Sequence, residues 1–293
     1  MTVAKSYLPG FAERSTEVKA VRLRAFEAGS GPLVVLLHGV GGAASNWALV
    51  APPLAERCRV LVPDLPGHGG SSALPAPAET LDAFADRVAA LLDEPAVLVG
   101  HSLGGVIALR LAARRPDLAR GLVLAGSAGI HSSTRRAEQL LALAATIKPG
   151  KRIAPLRRHV ARSPFLRRLA FGSVSVTDPR ALEPLMADAF LAGSGLYTDV
   201  RNASDALVRS DPRLDLERVR CPALVVHGAR DAQVPLCDGF EYARRLRAPL
   251  RTVADCGHLL VGERPHAVVD AVLALLDRVL DLEKLRVEAE PVG

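Results

Sequence analysis

The sequence predicts an α/β protein, with a mostly parallel sheet flanked by helices, on three observations. Short apolar runs rich in Val and Leu alternate with longer helical patterns, as is typical of a parallel sheet covered on both faces. The 293 residues, 49% of them hydrophobic, suit one large core. Between about residues 130 and 205, five prolines interrupt short helical pieces and no good strand pattern occurs. A loop of that length without structure is uncommon, so we expect a helical cap inserted in the core.

The elements follow in order along the chain. The alternating stretch Val18 to Phe26 predicts an antiparallel edge strand. The buried strands are then expected at Leu33–Leu37, Arg59–Val62, Ala96–Val99, Gly121–Leu124, Ala223–Val226 and Arg251–Val253. Helices are expected at Asn46–Glu56, Thr80–Leu92, Leu103–Arg114, Cys237–Arg247 and Pro265–Leu282. From about Lys284 the chain turns polar and is expected to fray. Residues 1–129 and 206–293 are thus predicted to form the core, and residues 130–205 the cap.

Cysteine spacing, apolar stretches and charge exclude some classes of site and of protein. The four cysteines lie far apart without a C-x-x-C pair, which argues against a zinc site or a disulfide framework. Residues 1–15 contain no apolar stretch of signal-peptide length, and no window approaches 18 uninterrupted apolar residues. We therefore expect a cytoplasmic protein without an integral membrane segment. The net charge of +6 is concentrated between His131 and Ala170, a stretch that contains ten basic residues and one acidic residue.

A motif around Ser102 carries the chemistry. The predicted strand Ala96–Val99 runs directly into Gly100-His101-Ser102-Leu103-Gly104, and a helical pattern follows. This G-x-S-x-G sequence between a strand and a helix is typical of a turn that exposes a nucleophilic serine. The glycines allow close approach of the backbone, and the start of the helix supplies N–H groups where negative charge develops. An isolated pentapeptide could be a plain turn, but this context predicts that Ser102 is a nucleophile.

A serine hydroxyl needs a histidine base, which a carboxylate usually holds in place. Asp231 and His258 each lie just after a later predicted strand. Because the carboxyl ends of parallel strands meet at the ligand-binding edge of such a sheet, we expect both residues to converge on Ser102. Asp255 is closer to His258 in sequence, but a residue three positions before the histidine in the same loop is badly placed to hold its ring.

These motifs resemble the α/β-hydrolase fold over nearly the whole chain, with the cap as the loosest part. The matching pieces are His38-Gly39-Val40-Gly41-Gly42, Asp64-Leu65-Pro66-Gly67-His68-Gly69, the turn at Ser102, Gly228-Ala229-Arg230-Asp231 and Gly257-His258. The resemblance implies that the backbone N–H groups of Val40 and Leu103 form an oxyanion hole. Family members that open epoxides or displace halide carry aspartate at the nucleophile position, so Ser102 implies acyl transfer.

We therefore expect a carboxylesterase that hydrolyses small to medium acyl esters through an acyl-enzyme on Ser102, without a metal or cofactor. Family members that cleave carbon–carbon bonds of ring-fission products commonly carry Asn where this chain has His101. Such a hydrolase remains an alternative. So do a thioesterase, a lactonase and, outside the enzymes, a small-molecule receptor on the same fold.

The predicted cap is amphipathic, with apolar residues at helical spacing among arginines. Its apolar stripe is expected to line an acyl pocket. Candidate substrate contacts are His38, Gly39, Met186, Phe190 and Tyr197, although loop support is a plainer role for His38 and packing within the cap for the last three. The basic face could instead contact anionic lipid or an acidic substrate such as an acyl-CoA. Nucleic acid is not expected, because the basic stretch has few aromatics and no recognised motif.

Overall fold

The computed structural model describes residues 7–75, 80–131, 152–196 and 200–289. Its centre is an eight-stranded sheet in the order β1-β2-β4-β3-β5-β6-β7-β8. The strands are β1 Ala12–Val18, β2 Val21–Ala28, β3 Leu33–Leu37, β4 Arg59–Pro63, β5 Ala96–His101, β6 Ala119–Ala125, β7 Ala223–Gly228 and β8 Leu250–Val253. Only the pairs β1–β2 and β2–β4 are antiparallel within this sheet of described residues. The prediction of a mostly parallel sheet flanked by helices is confirmed.

Helices connect most of the strands. They are α1 Ala51–Ala55, α2 Leu81–Ala89, α3 Leu103–Arg114, α4 Arg157–Arg162, α5 Pro164–Ser175, α6 Pro184–Leu196, α7 Val200–Val208, α8 Arg213–Leu216, α9 Leu236–Leu246, α10 Leu260–Glu263 and α11 Pro265–Ala289, with 3₁₀ turns at Ala44–Trp47 and Ala154–Leu156. The described residues contain no helix that is both long and apolar enough to cross a membrane.

The amino-terminal strand prediction was wrong in one respect. Val18 to Phe26 is not one edge strand, because the chain reverses at Lys19 and Ala20 and pairs β1 with β2. Both turn residues have positive φ, 47° and 62°, as a two-residue hairpin turn of type I′ requires. Asn-Gly is the usual sequence signal for that turn, and Lys-Ala gives none. The edge strand is therefore β1, while β2 lies between β1 and β4.

Two predicted helices differ most from the observed ones. The helix expected at Asn46–Glu56 is divided into a 3₁₀ turn, Ala44–Trp47, and the short α1. The last helix runs to Ala289 and does not end near Leu282, while the fraying expected from about Lys284 stays a prediction. Charge pairs support this extension, since Lys284 contacts Asp281 one turn earlier and Glu283 pairs with Arg120 beside the sheet.

The central strands alternate their side chains between two apolar layers. One face of β3 and β5 packs with α2, α3 and α9, and the other face packs with α1 and α11. All five residues of β3 and all six of β5 are buried. Burial on both faces explains their continuous Val and Leu runs, which fix the sheet that carries the site.

Between β6 and β7, α7 and α8 pack with the first apolar layer of the sheet, whereas α4, α6 and the stretch between α5 and α6 form a third and smaller cluster. Its buried apolar side chains include Val176, Leu182 and Met186, and several alanines complete it. Helix α6 lies against the 3₁₀ turn after β3, where the Ser45 hydroxyl donates a hydrogen bond to the Ala189 carbonyl at 3.0 Å. This segment therefore contacts the core at the carboxyl end of β3.

Candidate active site

The turn between β5 and α3 holds Ser102 in a strained conformation. Ser102 has φ 53° and ψ −118°, a region that residues with a side chain rarely occupy. A Cβ atom at Gly100 would overlap the Gly104 backbone, and one at Gly104 would overlap the Leu37 carbonyl of β3. The glycines thus let β3, β5 and α3 approach closely, and this close packing holds Ser102 in its strained conformation.

Ser102, His258 and Asp231 come together at the carboxyl ends of β5, β7 and β8. The Ser102 hydroxyl lies 3.1 Å from His258 Nε2, and His258 Nδ1 lies 2.8 Å from Asp231 Oδ2. All three side chains are largely buried. A hydroxyl donating to Nε2 and an Nδ1–H donating to the carboxylate require the neutral Nδ1–H tautomer. In that form, the ring can accept the serine proton.

The electrostatics of Asp231 favour its charged form. Burial alone would raise the pKa of Asp231, but the hydrogen bond from His258 and the N–H groups it accepts hold the pKa below its usual value. Its other oxygen accepts N–H bonds from Gln233 and Val234. The rival Asp255 is exposed and pairs with Arg230 instead. The carboxylate that contacts His258 is therefore that of Asp231.

His101, the residue before Ser102, supports the loop that carries His258. Its Nε2–H donates to the His258 carbonyl at 2.7 Å, and the two rings lie 4.9 Å apart. Burial lowers the pKa of His101 to about 3, and the nearby His258 adds to this effect. The ring therefore stays neutral and acts as a fixed hydrogen-bond donor beside the site.

The loop after β3 lies directly against Ser102. A Cβ at Gly39 would stand 3.2 Å from the Ser102 Cβ, so Val40 follows a residue in contact with the serine. Leu103 is the first residue of α3 and is fully buried. The first N–H groups of a helix have no acceptor within that helix, so the Leu103 N–H makes no hydrogen bond inside α3. Both expected oxyanion donors thus lie on segments adjacent to Ser102.

Comparison with known proteins identifies the family. A sequence profile described as the "Alpha/beta hydrolase family" matches residues 34–271. The chain is 36% identical over 242 residues to the pimeloyl-[acyl-carrier protein] methyl ester esterase of Aromatoleum aromaticum, covering 78% of this chain and 91% of that protein. It is 32% identical over 252 residues to the 2-hydroxymuconate semialdehyde hydrolase of Pseudomonas sp. strain CF600, covering 81% and 84%. The chain belongs to the alpha/beta hydrolase family.

A solved structure agrees with this assignment. A thermophilic esterase from Thermogutta terrifontis superposes with a TM-score of 0.71 at 25% identity, over 92% of this chain and 99% of that one. The predicted fold and the prediction of an enzyme of the α/β-hydrolase family are therefore confirmed.

The residues expected to contact the substrate of the hydrolase differ in their burial and in their neighbours. His38 is fully buried, with Nδ1–H donating to the Gly39 carbonyl and Nε2 accepting the Leu65 N–H. Both ring nitrogens are therefore engaged within the protein, where they support two loops, and a substrate contact of His38 stays a prediction. Met186 is also fully buried, and the half-buried Phe190 packs edge-on against Phe171. Tyr197 lies outside the described residues.

The second matching motif of the hydrolase is organised by Asp64. This buried carboxylate accepts hydrogen bonds from the Arg24 guanidinium at 2.6 Å and from the N–H groups of Ala44 and Gly70. It thereby ties β2, the turn after β3 and its own loop together. Gly69 has φ 54°, and a Cβ there would overlap the Asp64 carboxylate. Asp64 thus supports the loop that carries Val40.

A residue of the hydrolase that sequence patterns did not single out is Glu263, on α10. Its carboxylate accepts the Gly257 N–H at 2.9 Å, immediately before His258. Burial raises the pKa of Glu263, against the effect of the N–H groups of Thr177 and Gly257, which lower it. A glutamate at the end of a four-residue helix carries no sequence signal beyond its distance from His258.

Among the described residues, His131, Cys237 and Asp238 bring a nitrogen, a sulfur and an oxygen atom within 4.8 Å of one another. The Asp238 carboxylate accepts the backbone N–H groups of Ile130 and His131, so it fixes the chain just after β6. That role accounts for the burial of Asp238 without a metal ion. The expectation that the hydrolase needs no metal or cofactor stays a prediction.

Proposed function

We propose that this protein is a serine carboxylesterase in which Ser102 is the nucleophile, His258 the general base and Asp231 the carboxylate that orients the base. The observation that carries this proposal is the continuous hydrogen-bonded path from Ser102 Oγ through both nitrogens of His258 to Asp231, with distances of 3.1 and 2.8 Å. Such a path supplies an activated serine, which is the nucleophile required for acyl transfer.

In the first half-reaction, Ser102 Oγ attacks the ester carbonyl while His258 Nε2 takes the hydroxyl proton. The tetrahedral oxyanion is stabilised by the N–H groups of Val40 and Leu103, aided by the amino-terminal end of α3. His258 then returns the proton to the leaving alcohol, and an acyl-enzyme remains on Ser102. Water, deprotonated by His258, attacks this acyl-enzyme and releases the acid, which restores the free serine.

We infer that the substrates are esters with small to medium acyl groups, and that residues 130–205 form a cap over them. Two observations support the cap: α6 packs on the turn after β3, and Phe190 of α6 lies against Gly262, four residues after His258. The relative from Aromatoleum aromaticum is named for a methyl ester, which is consistent with a small alcohol group at the scissile bond.

The test is hydrolysis of p-nitrophenyl esters of increasing acyl length by wild type and by Ser102→Ala. Wild type should turn over a limited range of lengths, and Ser102→Ala should lose the activity by at least about 10³-fold. Glu241→Gln on α9, where the glutamate pairs with Arg244 and Arg245, is the control, because it changes none of Ser102, His258 and Asp231 and none of the contacts between α6 and the core. Wild type that hydrolyses none of these esters would overturn the proposal.

A second candidate, hydrolysis of a carbon–carbon bond in a ring-fission product, is favoured by the 32% identity to the 2-hydroxymuconate semialdehyde hydrolase of Pseudomonas sp. strain CF600. The same three side chains would serve this reaction. Turnover of a ring-fission dienone, measured alongside the ester panel at equal enzyme concentration, separates the two. A kcat/KM for the dienone above that for every ester would favour the second candidate.

A further inference from the structure

The two backbone neighbours of His258 are both tied to one short stretch of the segment between β6 and β7. The N–H of Leu259, directly after His258, donates to the Ser175 carbonyl at 2.9 Å. The N–H of Gly257, directly before it, donates to Glu263 Oε1 at 2.9 Å. The other oxygen of Glu263 accepts the Thr177 N–H at 2.8 Å. The stretch Ser175–Thr177 therefore holds the histidine loop from both sides.

The same stretch also contacts the loop that carries Asp231. The Ser175 hydroxyl accepts a hydrogen bond from the Gln233 side chain at 2.7 Å. Gln233 in turn donates its backbone N–H to Asp231 Oδ1 at 2.9 Å. One serine thus contacts both loops that orient the base, through its carbonyl on the histidine side and its hydroxyl on the aspartate side.

The fit around this stretch is tight. A Cβ at Gly257 would stand 3.1 Å from the Thr177 nitrogen and 3.1 Å from the Val176 Cα. Val176 is only 1% exposed and packs in the small apolar cluster with α4 and α6. Upstream, α5 is interrupted at Gly172, with φ 56° and ψ −171°. The stretch is therefore anchored to the helices of this segment on one side and to the catalytic loops on the other.

We propose that Glu263 is a positioning residue, which makes the placement of the His258 ring depend on how the Ser175–Thr177 stretch is seated. When the stretch is seated, Glu263 holds the N–H groups of Thr177 and Gly257 together, and the ring stays within reach of Ser102. When the stretch moves, the Leu259 N–H loses the Ser175 carbonyl and Glu263 loses the Thr177 N–H, so the histidine loop is held less firmly and the ring shifts from the serine. Ester hydrolysis is thereby coupled to the position of the cap over the substrate. This inference rests on the esterase function proposed above.

The consequence for catalysis is specific. Proton transfer between Ser102 and His258 depends on a separation of about 3 Å, and misplacement of a reacting group by about 1 Å can cost 10²-fold in rate. Glu263 does not contact the reacting atoms, so its loss should lower kcat while ester binding, and with it KM, changes little. A residue that only stabilised the fold would lower the fraction of active enzyme but leave kcat per active site unchanged.

The decisive variant is Glu263→Gln, which keeps the size of the side chain but leaves one carbonyl oxygen to accept two N–H groups. We expect kcat per active site, after titration with a fluorophosphonate, to fall about tenfold with KM unchanged. Glu263→Ala should fall further. The control is Glu241→Gln on the outer helix α9, where the glutamate pairs only with Arg244 and Arg245 among the described contacts; its kcat should equal that of wild type.

A second measurement does not depend on turnover. The His258 Nδ1 proton, donated to Asp231, should give a low-field NMR signal in wild type and a broadened or shifted one in Glu263→Gln. An unchanged kcat per active site together with an unchanged signal would overturn the inference, as would a loss explained wholly by fewer active sites. If wild type hydrolyses no ester, the proposed function fails, while the NMR signal still decides whether Glu263 positions the ring.

Discussion

The central sheet and the segment between β6 and β7 are stabilised in different ways. The strands β3 and β5 bury Val and Leu on both faces. In the segment, several of the buried positions are alanines, whereas Leu156, Phe165 and Leu169 are exposed by 59–68%. Its contacts with the core include single hydrogen bonds such as Ser45 to Ala189 and Leu259 to Ser175. The sheet is thus specified by its own burial, and the seating of the segment depends on a small apolar cluster shared with Tyr7 and Ala48 and on a few polar contacts.

The division matters for the candidate site, because the three side chains proposed to react lie on loops at the ends of sheet strands, while some of the groups that hold these loops come from the segment. The four changes that follow test this division, each with a partner change in the other region or in a rival residue.

The largest effect is expected for Asp231→Asn at the sheet edge. An amide orients the imidazole poorly and does not stabilise its charged form, so kcat should fall by about 10³–10⁴-fold. Asp255→Asn is the matched change, since Asp255 is exposed and pairs with Arg230; it should leave kcat unchanged. Steady-state kinetics with one p-nitrophenyl ester measure both variants. Equal losses in the two would contradict the assignment of Asp231.

Loss of a buried ion pair in the core should lower the free energy of unfolding more than loss of a part-exposed ion pair in the segment. Asp64→Asn removes the nearer carboxylate partner of the buried Arg24 guanidinium and leaves the Glu13 carboxylate at 3.9 Å, and the free energy of unfolding should fall by about 3–5 kcal/mol. Arg157→Ala removes a part-exposed pair with Asp188 in the segment and should cost about 1 kcal/mol or less. Urea unfolding followed by circular dichroism gives both values, and a reversed order would refute the comparison.

Apolar side chains test the same contrast without charge. Leu37 in β3 is fully buried, so Leu37→Ala should lower the free energy of unfolding by about 2–5 kcal/mol through lost burial and a cavity. Leu169 in α5 is 68% exposed, and Leu169→Ala should change the free energy by no more than about 0.5 kcal/mol. A large cost at Leu169, measured by the same denaturation, would mean that another surface covers it.

The pH dependence of stability should come from the core histidines. Burial lowers the pKa of His38 and of His101 to about 3, whereas in the unfolded chain both take up protons near pH 6.5. The unfolded state therefore binds more protons below pH 6.5, and stability falls as the pH decreases towards 3. Between pH 7.5 and 5.5, we expect these two residues to lower the free energy of unfolding by about 2–3 kcal/mol.

His38→Gln should remove about half of that decrease, because one of the two rings whose pKa is lowered to about 3 is gone. His159→Gln changes an exposed ring of the segment and should leave the decrease as it is in wild type. Denaturant titrations at the two pH values measure each slope. Equal slopes for His38→Gln and wild type would show that the buried rings do not account for the pH dependence.

Much of the core followed from the sequence for a physical reason. Strands buried on both faces need continuous apolar runs, so β3, β5 and β7 were visible, and α3 was predicted with its observed bounds. The order of Ser102, Asp231 and His258 on strand ends predicted their convergence before any coordinates. The hairpin at Lys19 and Ala20 was missed because neither residue type favours the positive φ that both adopt there.

What sequence patterns could not show are contacts between distant loops. Glu263 lies 86 residues from Thr177, and nothing in its neighbourhood predicts that the two meet. His38 shows the same limit from the other side. The motif allowed either loop support or a substrate contact, and only the structure shows that both ring nitrogens bond Gly39 and Leu65. The partners that a side chain contacts depend on tertiary packing, which a local sequence pattern does not contain.

The sheet order has a consequence for how the protein becomes active during its synthesis. The strands β5, β6, β7 and β8 join the sheet in the order in which they are made, and His258 follows Ser102 by 156 residues. At roughly 5–20 residues per second, His258 leaves the ribosome some 8–30 seconds after Ser102. With the roles proposed above, a nascent chain carries Ser102 before the residue that takes its proton has been made, and it stays inert towards esters until β7, β8 and the loops after them are complete.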